Sequence, residues 1–480
     1  MMVRDEVEQG SKAILQTSIR ALPADEWRRA PYLGGSSDSF WRRAEAFVPE
    51  TEIPEEPLSL VPEAPAHWGD WVESILEDPA SVHALTASRV LEPVRLSAKL
   101  SIRRNNNIDF MVSRWSRDTH TFVFPWGDCG PTLQDTAVMM RLSTRGSVAF
   151  DPSNLSLADA RPVDRLRRAY TAAGKYGSRF DREGRVRAPS KLGKTSWGYW
   201  LRYFFKDLPP PGTVPPAGQA TEFHGEMFDY DLHLAGFLVY WLSFFVIPDF
   251  PYEGPNHTVF PLAVSLARGD FVPLGPLFLG SLFHRLDQVH ADTERSLGRY
   301  DMVSVVHTQF LMAFCFEHFP SLAPSPVDLS WSEEPRPRIM RWSGGVLPTS
   351  FFSEDDRIVD FQTDGVVVSS SALAAFAAAC PCSLPALCAE GTRSVLYRPN
   401  RVARQFGYDQ GAPGPAPPLK SYAESLRRFT RAHVEELAEG YDIVVLPRNT
   451  GRLSLLLTAA WPGVAISTPS SIMYAALLRF

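Results

Sequence analysis

The stretch APSKLGKTS, residues 188 to 196, fits a relaxed phosphate-loop pattern: a small residue, four spacers and then Gly-Lys-Thr. A working phosphate loop lies between a buried strand and a helix, because backbone amides and the helix N-terminus must face the phosphates. The preceding residues, FDREGRVR, contain no apolar strand, and no apolar run ending in a magnesium-binding Asp follows. We therefore predict neither a nucleotide site nor a nucleotide cofactor here.

A second cluster, EFHGEMFDYDLH over residues 222 to 233, combines carboxylates with two histidines. If it is helical, Glu222, Glu226 and Asp229 share one face, and Asp229 and His233 lie one turn apart. Such a set suits a divalent metal, but acids in the first turn of an apolar helix are also the usual complement to its dipole. We favour the helix-cap interpretation and keep a metal or two-carboxylate site as its alternative.

Other candidate nucleophiles and metal ligands lack the partners that their chemistry needs. Cys380, Cys382 and Cys388 offer three thiols, whereas structural zinc takes four ligands, and no histidine lies near them in the sequence. His120 lacks a neighbouring Ser or Cys nucleophile with an orienting group. No lysine has a context typical of a pyridoxal-phosphate Schiff base. We therefore predict no catalytic residue, no metal ligand and no cofactor.

Basic residues dominate residues 161 to 194, where eleven Lys or Arg accompany three Asp or Glu, a local net charge of +8. Aromatic residues such as Tyr176 and Phe180 are interleaved, as on surfaces where cations meet phosphates and rings stack on bases. The segment is either a solvated loop that balances an acidic lead-in or a nucleic-acid contact. Under the second interpretation the contact residues are Arg179, Arg185, Arg187, Lys191 and Lys194.

Composition limits the class of protein. The chain has 480 residues, 45% of them hydrophobic and 21% charged, with a net charge of -6, which is typical of a globular protein large enough for two or more cores. Five thinly spread cysteines indicate a reducing compartment, and acids near the N-terminus argue against an export signal. The longest apolar stretch, residues 235 to 247, is too short to cross a bilayer. These features predict an intracellular protein without a membrane partner.

Three regions follow from the pattern of prolines, acids and apolar residues. Residues 1–84 are predicted to be an acidic, proline-rich and partly disordered arm, with a short helix near 67–76 docked at its end. Residues 85–320 are predicted to be a helical core that includes a polyproline linker at 209–216. Residues 321–480 form a mixed α+β extension. The expected fold class is mainly α, with several helices and a short β-strand or hairpin.

Local signals place these elements along the chain. A β-prone run at residues 120–124 precedes a turn at Gly127, and Thr132 with Asp135 forms a capping-box start to a helix that ends near Gly146. Helical periodicity predicts further helices at residues 90–100, 108–115, 222–247, 260–269, 274–292, 301–318 and 421–439. Strands are predicted at residues 357–368 and 441–446.

Residues 115 to 146, WSRDTHTFVFPWGDCGPTLQDTAVMMRLSTRG, resemble the signature of the plant mobile domain family, whose proteins are often labelled aminotransferase-like. The shared order is a Trp, then Thr-His-Thr-Phe, a Pro-aromatic-Gly-acid turn, and a Thr-Leu start to a helix that contains Asp. The similarity spans roughly residues 90 to 410. The signature residues are Trp115, Thr119, His120, Phe122, Pro125, Trp126, Gly127 and Asp135.

The resemblance implies a function without implying an active site. The family occurs as host genes linked to meristem maintenance and to transposon silencing in the nucleus, and as segments of plant transposable elements. No catalytic residue carries over from it, and the aminotransferase label rests on no known site. We expect the signature residues to be structural, with Trp126 as a hot spot for a protein partner if it stays exposed at its turn.

The resulting prediction is a non-enzymatic interaction module in the nucleus. Protein partners are expected, nucleic acid is a second partner through residues 161–194, and the oligomeric state is left open. The alternative is a transposon-associated, metal-dependent nuclease or another phosphate-handling enzyme that uses Glu222, Glu226 and Asp229.

Overall fold

The computed structural model describes residues 68–102, 107–124, 127–177, 195–205, 230–250, 253–296, 305–327, 337–345, 381–402, 405 and 416–430. Within these ranges the chain is mainly helical with two small antiparallel sheets, which confirms the predicted fold class. The helices are α1 Trp68–Glu77, α2 Pro79–Ala87, α3 Leu91–Ser97, α4 Asn107–Ser113, α5 Leu133–Met140, α6 Leu157–Gly177, α7 Trp197–Phe204, α8 His233–Trp241, α9 Phe260–Ala267, α10 Leu274–Ser296, α11 Thr308–His318 and α12 Tyr422–Arg427. The strands are β1 Trp115–Ser116, β2 Thr121–Phe124, β3 Gly127–Cys129, β4 Cys382–Cys388 and β5 Gly391–Tyr397.

Helix α1 joins the core through one apolar face. Trp68, Trp71, Val72 and Ile75 recur at helical spacing, and all four are buried. The Trp68 ring stacks on Phe237 of α8, with ring centroids 4.9 Å apart. The predicted docking of this helix is confirmed, and the packed body therefore already contains α1, which lies before the predicted boundary at residue 85.

The first sheet holds the signature strands. Strand β2 lies between β1 and β3, and Phe122 is the Cα partner of both Trp115 and Cys129. The capping box that starts α5 is confirmed: Thr132 Oγ1 accepts a hydrogen bond from the Asp135 amide, and Asp135 Oδ2 accepts one from the Thr132 amide. The helix ends at Met140, earlier than predicted, because the next residue adopts a left-handed φ of 57°.

Helix α8 and the helical turn that follows it are almost entirely buried. Helix α8 begins at His233, within the predicted 222–247 helix, whose residues 222–229 lie outside the described part of the chain. After α8 the backbone widens into a π-helical turn, Leu242–Val246, and the helical run stops before Pro248. Nearly every side chain of this run is buried, as its uniformly apolar sequence requires.

Helices α9, α10 and α11 confirm the three predicted helices that follow, with α11 beginning seven residues later than expected, at Thr308. No described helix combines the length and the apolar character that crossing a membrane would need.

The second sheet is a hairpin that sequence reasoning missed. Strands β4 and β5 pair in register from Cys382 with Tyr397 to Cys388 with Gly391. Every residue of β4 is buried, so the strand lacks the alternation of a half-exposed strand, and Pro385 lies inside it. The predicted strands at 357–368 and 441–446 lie outside the described residues. The predicted 421–439 helix begins after its Ser421 cap but is shorter than predicted, because α12 ends at Arg427 and the described residues 428–430 form a turn and an isolated β-bridge.

Candidate functional site

Two signature side chains converge on one carboxylate of α10. Trp115 Nε1 donates a hydrogen bond of 2.8 Å to Asp287 Oδ1, and His120 Nε2 lies 3.1 Å from Asp287 Oδ2. His120 reaches this position from the turn before β2, where its backbone has a left-handed φ of 52°. The His120 ring also stacks on Phe283, one turn earlier on α10. The signature strands are therefore attached to α10 by both polar and aromatic contacts.

The remaining strand residues of the signature lie in the interior. Thr119 and Thr121 share a hydrogen bond of 2.7 Å between their hydroxyl groups, and Phe122 is fully buried beside Trp115. Gly127 begins β3. Pro125 and Trp126 lie outside the described residues, so the exposure of Trp126 stays a prediction.

Asp135 combines a helix cap with a distant contact. Its Oδ2 accepts hydrogen bonds of 2.7 Å from both the amide and the hydroxyl of Thr132. Its Oδ1 lies 3.0 Å from His318 Nε2 at the end of α11, and both side chains are fully buried. One carboxylate thus fixes the start of α5 and joins it to α11.

The segment after the β4–β5 hairpin closes over the same region. Arg401 Nε donates a hydrogen bond of 2.6 Å to Asp128 Oδ2, and the Gln405 amide bonds both the N–H and the C=O of Gly130. Tyr397 Oη accepts from the Leu133 amide at 3.0 Å. Burial raises the pKa of Asp128, and the nearby Arg401 guanidinium opposes that rise. The signature is therefore completed by residues more than two hundred positions further along the chain.

A mixed-ligand cluster lies beside this region, at the edge between α10 and the β4–β5 turn. His284, Cys388 and Glu390 each offer one ligand atom, and the three atoms lie within 4.8 Å of one another. Sequence reasoning considered Cys388 but neither partner, since His284 is distant in sequence and Glu390 has no distinguishing pattern. Only the packing of the β4–β5 hairpin against α10 brings these three residues together.

The structure describes the basic region, residues 161–194, only as far as the end of α6 at Gly177. Helix α6 buries Val163, Leu166, Ala169 and Ala173 on one side and exposes arginines on the other, among them Arg161, Arg167 and Arg168. Two of its arginines have acidic neighbours: Arg165 lies 3.2 Å from Asp231, and Arg167 lies 3.0 Å from Asp164. The predicted contact residues Arg179, Arg185, Arg187, Lys191 and Lys194 lie outside the described residues.

A second basic surface lies around α12. A cleft of about 440 Å³ is lined by Lys420, Arg427 and Arg428, with one acid, Glu424, and the hydroxyl of Ser383 among the other lining groups. The Nε atom of Arg428 is buried and has no hydrogen-bond partner within the described chain. Three cations against one carboxylate make this cleft suitable for an anion.

The remaining sequence candidates separate in space or lie outside the described ranges. Of the acidic cluster, Asp231 is exposed and pairs with Arg165, while His233 accepts a hydrogen bond of 3.2 Å from Trp71 Nε1. Glu222, Glu226 and Asp229 are outside the described residues, so the nuclease alternative stays a prediction. The same is true of the phosphate-loop pattern up to Lys194, after which the Thr195 hydroxyl bonds the Tyr170 carbonyl.

The comparison with known families matches the predicted start of the family similarity near residue 90 but ends at residue 348, before the predicted limit near residue 410. Residues 91–348 match the family model of the plant mobile domain, which covers more than half of the chain. The chain therefore belongs to the plant mobile domain family, and this domain is transposon-related. No curated protein and no solved structure matches the chain. The match ends before the β4–β5 hairpin, although that hairpin and the segment after it contact the signature directly.

Proposed function

We propose that this protein is a non-enzymatic interaction module of the plant mobile domain type, which acts in the nucleus and contacts nucleic acid through residues 161–194. The observation that carries the nucleic-acid part is the two-sided character of α6. Its apolar side is buried, which holds the helix on the core, while exposed arginines cover its outer side and the chain continues into the basic segment. Phosphate backbones are bound by such arrays of cations.

The use of the signature's polar groups supports a role without catalysis. Asp135, Asp128 and His120 are each engaged by groups from distant elements, and all three lie in the interior or at its edge. A general acid, a general base or a nucleophile must instead face a space that a substrate can enter. In our proposal these side chains stabilise the fold, and the exposed surface makes the contacts with nucleic acid and protein partners.

The cleft beside α12 offers a further anion contact. Lys420 and Arg427 line it from the exposed side, and the unpaired Nε of Arg428 within the described chain is a donor that a phosphate oxygen would satisfy. Nuclear location, protein partners and the links to meristem maintenance and transposon silencing belong to the proposal through family membership. Expression of the tagged full-length chain in plant cells tests the location, and a tag that stays outside the nucleus contradicts it.

Binding of the full-length chain to labelled DNA and RNA, measured by fluorescence anisotropy at several salt concentrations, tests the central part. We expect binding that weakens with salt, and a variant with Arg179, Arg185, Arg187 and Lys191 changed to Ala that binds much more weakly. Each lost phosphate contact should reduce the steepness of the negative slope of log K against log salt by about 0.9 on duplex DNA.

A matched pair of double variants tests whether the exposed arginines of α6 take part in the contact with nucleic acid. R161A/R168A removes two exposed arginines from α6, whereas R95A/K99A removes two exposed cations at and just after α3. We expect the first pair to weaken binding and the second to leave it nearly unchanged. No binding by the intact chain at low salt, or equal loss in both double variants, would overturn the proposal.

A further inference from the structure

We propose that His284, Cys388 and Glu390 form a zinc-binding site at the edge where α10 meets the β4–β5 turn. Their ligand atoms already lie within 4.8 Å of one another. Bonds of about 2.0–2.3 Å in a tetrahedral site place ligand atoms roughly 3.3–3.8 Å apart. Small rotations of the exposed Glu390 side chain and of its neighbours therefore suffice to close the set around an ion.

The donor types favour zinc over the hard cations. A thiolate, an imidazole and a carboxylate are all zinc ligands, whereas magnesium and calcium take oxygen ligands almost entirely. Three protein ligands leave the fourth tetrahedral position for water or for a group from a bound partner. The site therefore differs from a closed structural zinc site with four protein ligands.

The backbone that carries the ligands is rigidly placed. A Cβ at Gly280 would lie 2.1 Å from the Pro385 carbonyl oxygen, so only glycine lets β4 approach α10 this closely. One residue later, the Ser281 hydroxyl accepts from the Leu387 amide at 3.0 Å and lies 3.2 Å from the Leu387 carbonyl. These contacts fix the strand beside the helix one turn before His284. Metal sites need ligands on such fixed elements.

The turn itself is also held. Asp249 Oδ2 accepts a hydrogen bond of 2.5 Å from the Ala389 amide, between the two hairpin ligands, and the same carboxylate forms a buried ion pair with Arg285. The positions of Cys388 and Glu390 are thus set by a charged pair from outside the hairpin. This arrangement corresponds to the outer-shell support that orients ligands in metal sites.

A buried ring nitrogen of His284 is available to coordinate an ion. His284 Nε2 is buried and has no hydrogen-bond partner among the described residues, although buried nitrogens are almost always paired. Around it, Asp287 and Glu390 attract a cation, whereas Arg393 and a protonated His120 would repel one.

Zinc uptake by the metal-stripped full-length chain, measured by competition with a chromophoric chelator, tests the site. We expect about one equivalent per chain, and more than about 10-fold weaker binding after C388S, H284Q or E390A. Cobalt in place of zinc should give a thiolate-to-cobalt charge-transfer band that is lost in C388S.

Matched controls separate a site from general metal binding. C382S removes a buried thiol at the other end of the same strand, and H83Q removes an exposed histidine on α2, so both should bind zinc like the intact chain. Glu390 is exposed in a tight turn, so E390A keeps the test valid even if H284Q fails to fold. The proposal is overturned if the intact chain takes up no zinc, or if C382S and E390A have equal effects.

Discussion

Two hydrogen-bonded pairs have the same separation but differ in how far their side chains are exposed to water. The His318 nitrogen and the Asp135 oxygen lie 3.0 Å apart with both side chains 0% exposed, whereas Arg167 and Asp164 on α6 lie 3.0 Å apart with side chains 53% and 60% exposed. Water competes for the second pair and is excluded from the first. Burial, more than distance, therefore decides what each pair contributes, because removing one partner from the interior leaves the other without a replacement.

The largest effect is expected at the buried pair. Asp135→Ala removes the cap of α5 and leaves His318 without its acceptor, so we expect the free energy of unfolding to fall by about 3–5 kcal/mol. Urea denaturation followed by circular dichroism measures this change. Asp164→Ala is the exposed control and should change stability by less than about 0.5 kcal/mol.

Asp135→Asn sharpens the same comparison. It keeps an oxygen that can accept from Thr132 but removes the carboxylate charge, so its cost should lie between those of Asp135→Ala and Asp164→Ala. A cost for Asp135→Ala below that of Asp164→Ala would break the comparison.

The next effect concerns a buried group that titrates. His307 Nδ1 accepts from the Phe310 amide at the start of α11, and burial lowers its pKa from 6.5 to about 4. The folded state then resists protonation more than the unfolded state does, so stability is full above about pH 6.5 and falls as the pH drops toward 4. The loss should reach about 3 kcal/mol at the lower limit.

Urea denaturation between pH 7 and pH 4 measures the slope that His307 contributes. His307→Asn keeps an acceptor near the helix start but does not titrate in this range, so its stability should depend less on pH. Equal slopes for the intact chain and this variant would show that other groups dominate.

An exposed helix cap is expected to rank between the buried pair and the exposed pair. Asp78 accepts from the amides of Ala80 and Ser81 at the start of α2, and its hydrogen bond with the Ser81 side chain lowers its pKa below 3.8. Asp78→Ala should cost about 1 kcal/mol at neutral pH. The advantage of the carboxylate is present above about pH 4 and is lost as the pH falls through the lowered pKa. Thermal unfolding at pH 7 and pH 3 measures it, with Asp78→Asn as the capping control that does not titrate.

The smallest effect belongs to the exposed pair itself. Arg167→Ala should reduce the free energy of unfolding by less than about 0.5 kcal/mol, because solvent and salt screen the pair. A double-mutant cycle with Asp164→Ala isolates the coupling, which should fall further in high salt. A coupling free energy above about 1 kcal/mol would contradict the expectation that an exposed pair contributes less than a buried one.

Sequence reasoning succeeded where an element depends on neighbouring residues. The capping box of Thr132 and Asp135 is a contact three residues apart, and the helix of Trp68 and Trp71 follows from their spacing alone. It failed for β4, whose fully buried residues show no alternation and include Pro385, so its strand character depends on its pairing with β5 and its packing against α10.

The candidate sites divide in the same way. The basic character of residues 161–194 is a property of composition and was visible at once, whereas the meeting of His284 with Cys388 was not. Their separation along the chain leaves no periodic signal, and nothing in the residues around Cys388 indicates a histidine nearby in space. Only the close approach of β4 to α10 at Gly280 brings the two together.

The amino-acid sequence by itself determined the mainly helical class, the caps, the family signature and the location of surplus positive charge, because each of these is encoded in short-range patterns. The tertiary structure decided which charged side chains are buried in pairs with residues from distant parts of the chain. Asp135 meets His318 across 183 residues and Asp128 meets Arg401 across 273, and both pairs depend on the packing of whole helices and strands. Such contacts form only when the complete core excludes water, so no local pattern can predict them.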